Sequence, residues 1–104
     1  MKQFDVYEVD FNPAKGSEIR KSRPAVIISP DVMNKNLKTV IVAPLTHTIK
    51  SYPSRVNVEF ANQPGQVALD QMRAVDKIRL SKKKGRINTS AAQDIKLILT
   101  TMFS

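Results

Sequence analysis

Apolar positions in the first half of the chain follow the spacing of β-strands. The segment DVYEVDF alternates apolar and acidic residues with a period of two, which predicts a strand that ends at Asn12 and Pro13. The segment PAVIIS carries β-branched side chains on both faces, as is typical of a strand buried on two sides, and we expect it near the centre of the sheet. The segment TVIVAPLT, from Thr39 to Thr46, repeats this pattern after the polar connection DVMNKNLK, which has room for a helical turn.

The second half continues the sheet. RVNVEF alternates cleanly from Arg55 to Phe60, and GQVALDQMRAVD from Gly65 to Asp76 predicts one or two further strands with a bend near Asp70. The basic segment KKKGR that follows is expected to form a turn with a short edge strand, because lysines at a sheet edge discourage aggregation.

The last segment changes to the spacing of an amphipathic helix. Apolar residues recur at intervals of four, three and four between Ala91 and Met102, and Ser90 with Gln93 predicts a capping box at the helix start. Many short strands followed by one helix predict a mainly β fold, a small and strongly bent sheet or barrel with a C-terminal helix. The length of 104 residues fits a single domain over residues 1–104, which would gain stability from a partner subunit.

Composition narrows the possible chemistry. The 17 lysines and arginines against 9 acidic residues give a formal net charge of +8, which favours a polyanionic partner, although a solvated basic surface is the simpler alternative. The chain has no cysteine and a single histidine, His47, so thiolate and multi-histidine metal sites are excluded and no metal or other cofactor is expected. With no apolar signal segment and no stretch near the roughly 20 residues that span a bilayer, we expect a cytoplasmic protein with no membrane partner.

Five motifs follow one another along the chain: DVYEVDFNPAKGSE (5–18), RPAVIISP (23–30), VIVAPLT (40–46), KSYPSRV (50–56) and ALDQMRAVD (68–76). In this order they resemble the motifs of the MazF/PemK/Kid toxin family of bacterial toxin–antitoxin systems. The resemblance spans nearly the whole chain and implies a small SH3-like β-barrel, shared with the gyrase-poisoning toxin CcdB, that works as a homodimer. It also implies a growth-inhibiting mRNA interferase, which cleaves single-stranded RNA sequence-specifically without metal or ribosome, and a cognate antitoxin with an acidic, disordered tail. DNA would be bound only indirectly, through the antitoxin complex.

Metal-free RNA cleavage uses the 2′-OH as the nucleophile and needs a proton acceptor, a proton donor and stabilisation of the charged intermediate. Arg23 matches the arginine of the family's RP motif, and its planar fork can hold two phosphate oxygens. Thr46 matches the threonine that pairs with that arginine, and its hydroxyl can hold a phosphate oxygen or the attacking 2′-OH. Glu18 is expected to orient Arg23 or accept a proton, with a loop ion pair as the alternative.

Asp70 matches the aspartate of the family's DQ element. In the Kid branch that aspartate is assigned as a base beside an arginine two residues earlier, but Ala68 stands there in this chain, so Asp70 is better explained as a structural hydrogen-bond acceptor. Ser17 stands where some relatives have histidine. The residues predicted to bind the substrate are Lys15, Ser17, Arg20, Lys21, His47, Lys50, Tyr52, Arg55 and Asp70.

Several alternatives stay open at this point. Tyr52 can stack on a base or merely shape its loop, and the basic run from Lys77 to Arg86 can extend a phosphate track or stay solvated. His47 beside Thr46 is interpreted as an exposed residue that touches RNA, with proton transfer as the minor alternative. Rival functions are a CcdB-like toxin that binds gyrase without cleaving anything, and a degenerate RNA-binding module without turnover.

Overall fold

A curled antiparallel sheet and one long helix form the fold. The computed structural model describes residues 1–13, 15–18 and 21–104. Within these residues the sheet has seven strands, and two short 3-10 helices, Leu69–Gln71 and Lys77–Arg79, flank its sixth strand. The strands are β1 Asp5–Asp10, β2 Ser22–Ile27, β3 Thr39–Thr46, β4 Arg55–Phe60, β5 Gln63–Ala68, β6 Arg73–Asp76 and β7 Leu80–Arg86, and the α-helices are α1 Asp31–Asn36 and α2 Thr89–Met102.

The strand order explains why the sheet curls. It runs β4-β5-β3-β2-β1-β7, with β6 also paired to β3, and every pair is antiparallel. One edge of β3 pairs with β2. Along the other edge, the first residues of β3 pair with β6, and its last residues, Leu45 and Thr46, pair with β5. The curl brings the edge strands β4 and β7 together, where a Cβ on Gly85 would lie 3.4 Å from the Phe60 ring. The predicted bent, mainly β fold with a C-terminal helix is confirmed.

Strand β2 separates two apolar cores, as its pattern predicts. Ala25, Val26 and Ile27 are all fully buried, with Val26 in one core and its two neighbours in the other. The first core also contains the apolar face of α2, and the second is closed by side chains of β1, β3, β6 and β7. Burial on both faces therefore accounts for the uninterrupted apolar run in this strand.

The helix α2 occupies its predicted segment, but its start differs from the prediction. The side chain of Asn88 accepts a hydrogen bond of 2.8 Å from the Ala91 amide and caps the helix, whereas Ser90 already lies in its first turn. The predicted capping box at Ser90 is therefore wrong, because the helix is capped two residues earlier, at Asn88. Ala91 and Ile95 are buried, while Met102, at the end of the predicted stripe, is 38% exposed.

The basic segment KKKGR was predicted to form a turn with a short edge strand. The edge strand is confirmed, but the turn is wrong, because residues 82–86 all lie in β7. Lys82, Lys83 and Lys84 are exposed on β7, which pairs only with β1 among the described strands. Neither helix in the described part of the chain is long and apolar enough to cross a membrane.

Candidate active site

Arg23 and Thr46, far apart in the sequence, line one cleft. This cleft of about 360 Å³, called the Arg23 cleft below, lies where β2, β3 and β7 meet the β4–β5 hairpin. Its lining is mostly apolar. The lining residues are Arg23, Pro24, Leu45, Thr46, His47, Val58, Phe60, Ala61, Gln63, Gly65 and Lys84.

Strand pairing fixes the position of both residues. Arg23, in β2, lies opposite Val9 of β1, and Thr46, at the end of β3, lies opposite Gln66 of β5. Thr46 is 8% exposed, and its Oγ1 accepts a hydrogen bond of 3.2 Å from the Thr48 amide. Because that bond uses an oxygen lone pair, the hydroxyl hydrogen of Thr46 is left to donate to a ligand.

The backbone of β5 packs tightly against Thr46 and His47. A Cβ on Gly65 would lie 2.9 Å from the Thr46 carbonyl oxygen, a distance that only glycine permits here. Nδ1 of His47 lies 3.2 Å from the carbonyl oxygen of Pro64. Since a carbonyl can only accept, Nδ1 carries the hydrogen in this contact, and Nε2 of the neutral ring is the acceptor.

Lys84 lines the cleft, and the sequence analysis included it only as one member of the basic run from Lys77 to Arg86. It adds a second cation beside Arg23 in the cleft, whereas Lys83 forms an ion pair of 3.6 Å with Asp5. Alternation along the strand was the available signal, since neighbouring residues of a strand point to opposite faces. Only the closure of the sheet reveals which lysine of the run reaches the cleft.

Glu18 lines a second cleft of about 280 Å³, together with Asp70 and Arg73. Its Oε1 accepts a hydrogen bond of 2.6 Å from the Lys15 amide, and its own amide donates to the Lys15 carbonyl at 3.1 Å. These contacts lie within the loop that follows β1. Glu18 and Arg23 thus line different clefts, and a catalytic role for Glu18 stays a prediction.

Arg55 was predicted to bind the substrate, and its contacts in the structure are with Asp70 and Gln66. Substrate binding by Arg55 stays a prediction. Arg55 begins β4, and its side chain is only 8% exposed. Its Nε and Nη2 donate to the two carboxylate oxygens of Asp70 at 2.7 and 3.3 Å. Arg55 also stands directly opposite Ala68, so it supplies an arginine to Asp70 from the neighbouring strand.

Asp70 is a hydrogen-bond acceptor in this network, as the sequence interpretation expected. Burial by itself raises the pKa of the Asp70 carboxyl, but hydrogen bonds from Arg55, the Asp70 backbone amide and Ser54 together bring that pKa below its usual value. Ser54 Oγ donates to Oδ1 at 3.1 Å. The carboxylate is therefore ionised and held by protein donors.

The other predicted substrate-binding residues lie on two loops. Lys15, Ser17 and Lys21 are exposed after β1, and His47, Lys50 and Tyr52 are exposed between β3 and β4. Arg20 lies outside the described residues. Within the described part of the chain, no three His, Cys, Asp or Glu side chains are grouped to hold a metal ion.

Comparisons with known proteins agree on one family. Residues 2–103 match the model of the PemK-like, MazF-like toxin of type II toxin-antitoxin systems. The chain is 39% identical over 89 residues to the endoribonuclease MazF of Staphylococcus saprophyticus, which covers 80% of this chain and 74% of that protein. It is 35% identical over 95 residues to the endoribonuclease toxin MazF of Escherichia coli K12, covering 90% of this chain and 83% of that protein.

Solved structures share the fold. MazF of Deinococcus radiodurans superposes with a TM-score of 0.85 at 22% identity, covering 99% of this chain and 96% of that one. A mycobacterial endoribonuclease, solved in complex with its cognate antitoxin, superposes with a TM-score of 0.84 at 21% identity, covering 99% and 94%. At these identities the likeness establishes the fold.

Proposed function

The chain belongs to the PemK-like, MazF-like toxin family of type II toxin–antitoxin systems, and from this premise we propose that it is the toxin of such a system. It is an endoribonuclease that cleaves single-stranded RNA at specific sequences without metal or ribosome, and so inhibits translation and growth. The endoribonuclease names of its relatives support this activity. The observation that carries the proposal for this chain is the meeting of Arg23 and Thr46 in one cleft.

The reaction needs only groups of the RNA and of the protein. The 2′-oxygen attacks the adjacent phosphorus and loses its proton to an acceptor. The P–O5′ bond breaks, and the leaving 5′-oxygen takes a proton from the Arg23 guanidinium, which regains one from water. The products are a 2′,3′-cyclic phosphate and a 5′-OH. The guanidinium of Arg23 stabilises the extra charge on the phosphorane oxygens, and the Thr46 hydroxyl donates to one of them.

His47 and Glu18 are the two candidates for the proton acceptor. Nε2 of His47 is favoured, because His47 lines the same cleft as Arg23 and Thr46, whereas Glu18 lines the second cleft. Among the described residues that line the Arg23 cleft, none carries a carboxylate. Replacing His47 with alanine should therefore lower kcat by roughly 10²–10⁴-fold, with a smaller effect for Glu18→Ala. The reverse order of effects would assign the role to Glu18.

The basic loops of this chain and its family both support RNA and a cognate antitoxin as partners. The exposed cations Lys15, Lys21 and Lys50, with Arg20, suit a phosphate backbone or the acidic tail of a cognate antitoxin. A mycobacterial relative has been solved with its own antitoxin, which supports such a partner here. We expect a homodimer acting in the cytoplasm, with DNA bound only through the antitoxin complex.

Cleavage of long single-stranded RNA in EDTA tests the activity. The wild type should cut at one short motif and leave cyclic-phosphate and 5′-OH ends, and Arg23→Ala should abolish cutting. Arg23→Lys keeps the charge but loses the fork, and should lose most of the rate. Lys35→Ala, which removes one charge from the last turn of α1, is the matched control and should cut normally. Intact RNA after exposure to the wild type would favour a non-catalytic binding toxin.

A further inference from the structure

Gln66 is a buried polar residue to which the sequence patterns gave no role. It lies in β5 and is 3% exposed. Its Nε2 donates to the Lys50 carbonyl at 3.0 Å, and its Oε1 accepts from the Lys50 amide at 3.1 Å. Nε2 also donates to Oδ1 of Asn57 at 2.9 Å. One side-chain amide thus binds both backbone polar groups of Lys50, as a neighbouring strand would.

Arg55 extends this network to Tyr52. Its Nη1 lies 3.4 Å from Oε1 of Gln66 and 3.5 Å from the Thr48 carbonyl oxygen, while its Nε and Nη2 bind Asp70. Its guanidinium carbon lies 5.2 Å from the centre of the Tyr52 ring, within cation–π range. Tyr52 remains 50% exposed, so the ring is held by a buried cation and still presents half of its surface to solvent.

The segment fixed by these contacts is the loop of residues 47–54, which contains neither helix nor strand. Its backbone is ordered by side chains from β3, β4 and β5 instead of by a ladder of its own. The loop begins at His47, which lines the Arg23 cleft, and continues through the exposed side chains of Lys50 and Tyr52. Because a loop that is already ordered loses less entropy on binding, such a framework favours ligand affinity.

We infer that Gln66 is a positioning residue for RNA binding. Together with Arg55 it holds the 47–54 loop so that the ammonium group of Lys50 contacts a phosphate and the Tyr52 ring stacks on an unpaired base beside the Arg23 cleft. This inference rests on the proposed endoribonuclease function. The ligand it names is single-stranded nucleic acid extending from the scissile phosphate along this loop, recognised by backbone charge and by stacking rather than by base edges.

Variants of Gln66 and Tyr52 test the inference through KM and kcat. Gln66→Ala and Tyr52→Ala should each raise the KM for an oligoribonucleotide roughly tenfold, since stacking of one base contributes about that much, and leave kcat within about threefold. Tyr52→Phe keeps the ring that stacks and should raise the KM less than Tyr52→Ala does. The KM of the double variant should be little higher than that of either single variant, because both changes remove the same stacking surface.

Asn34→Ala is the matched control. Asn34 is also a buried amide, 3% exposed, and its Nδ2 donates to the Ser29 carbonyl at 2.9 Å beside α1. Asn34→Ala should lower the free energy of unfolding about as much as Gln66→Ala does, but it should leave the KM unchanged. A Gln66→Ala variant that loses stability like Asn34→Ala and keeps its KM would show that Gln66 is structural only.

A second readout separates the inference from the proposed activity. Fluorescence anisotropy with a 2′-deoxy oligonucleotide of the same sequence, which cannot be cut, gives the Kd of each variant directly. Tyr52→Ala, at an exposed ring, does not depend on refolding of the core, and an unchanged Kd for it would overturn the inference. If the wild type cuts no RNA, the proposed activity fails, and the Kd values still decide the role of Gln66 and Tyr52.

Discussion

Replacing Asp70 with asparagine should cost stability and spare catalysis. Asparagine keeps the shape and one acceptor oxygen, but it removes the charge that pairs with Arg55 at 2.7 Å. Breaking a buried ion pair by removing one partner costs about 3–5 kcal/mol. The Arg55 side chain is 8% exposed and that of Asp70 27% exposed, so partial solvation brings the expected loss to about 2 kcal/mol. For a domain of this size, Tm should fall by roughly 10 °C.

Urea unfolding followed by circular dichroism measures this loss, and RNA cleavage below the transition measures activity. The sum of the losses in Asp70→Asn and Arg55→Met should exceed the loss in the double variant by about 1 kcal/mol or more, because the double variant leaves no charge unpaired. Cleavage per folded molecule by Asp70→Asn should stay within a few-fold of the wild type. A stable Asp70→Asn protein without activity would refute the structural role and make Asp70 a catalytic base.

Acid titration checks the same ion pair independently. Because the pKa of Asp70 in the folded protein lies below its usual value of 3.8, its contribution to stability is complete above that value and is lost as the pH falls through the lowered pKa. The difference in unfolding free energy between wild type and Asp70→Asn should therefore be constant near neutrality and shrink below about pH 4. A difference that persists unchanged in acid would contradict this explanation.

Three further substitutions test the frame around the cleft, each by chemical unfolding. Asp5→Asn removes a buried carboxylate that pairs with Arg86 at 2.6 Å and should destabilise the protein by about 1.5–3 kcal/mol, in contrast to the exposed control Glu59→Gln. Ala61→Gly relieves a φ of 53° in the β4–β5 turn and should stabilise by about 0.5–1 kcal/mol; a loss of stability would show that the turn is unstrained. Gly65→Ala should cost about 1–3 kcal/mol and lower cleavage, because β5 must move from Thr46; normal activity would mean that the cleft tolerates this shift.

The fold could be predicted because its segments carry strong periodic patterns. Strands β3 and β4 span the residues that their patterns predict, and β2 is buried on both faces as its β-branched run requires. The helix start was missed because Asn88 and Ser90 are both good caps, and the choice between them depends on where the chain leaves β7. The local sequence predicts that a helix or strand exists more reliably than it predicts where that helix or strand ends.

The candidate site was predicted less completely, because the curl of the sheet decides which side chains meet. Arg23 and Thr46 came from family motifs, and their shared cleft appears only once β3 pairs with β2 along one edge and, at its end, with β5 along the other. Lys84 entered the sequence analysis only as one member of a basic run, and Gln66 was missed, because the closure of the sheet decides which lysine reaches the cleft and which amide reaches a loop. The Arg55–Asp70 ion pair was not predicted, because the two residues lie fifteen positions apart in the chain.

The most direct test of the central claim is cleavage in EDTA of two oligonucleotides that differ by one oxygen atom. Both carry the mapped cut site in an RNA strand, but one has a 2′-deoxyribose on the 5′ side of the scissile phosphate. The mechanism at Arg23 and Thr46 predicts that the all-RNA strand is cut to a 2′,3′-cyclic phosphate and a 5′-OH, and that the deoxy strand binds but stays intact. Cleavage of the deoxy strand at the same bond would show that water or a protein group is the nucleophile and would contradict the account.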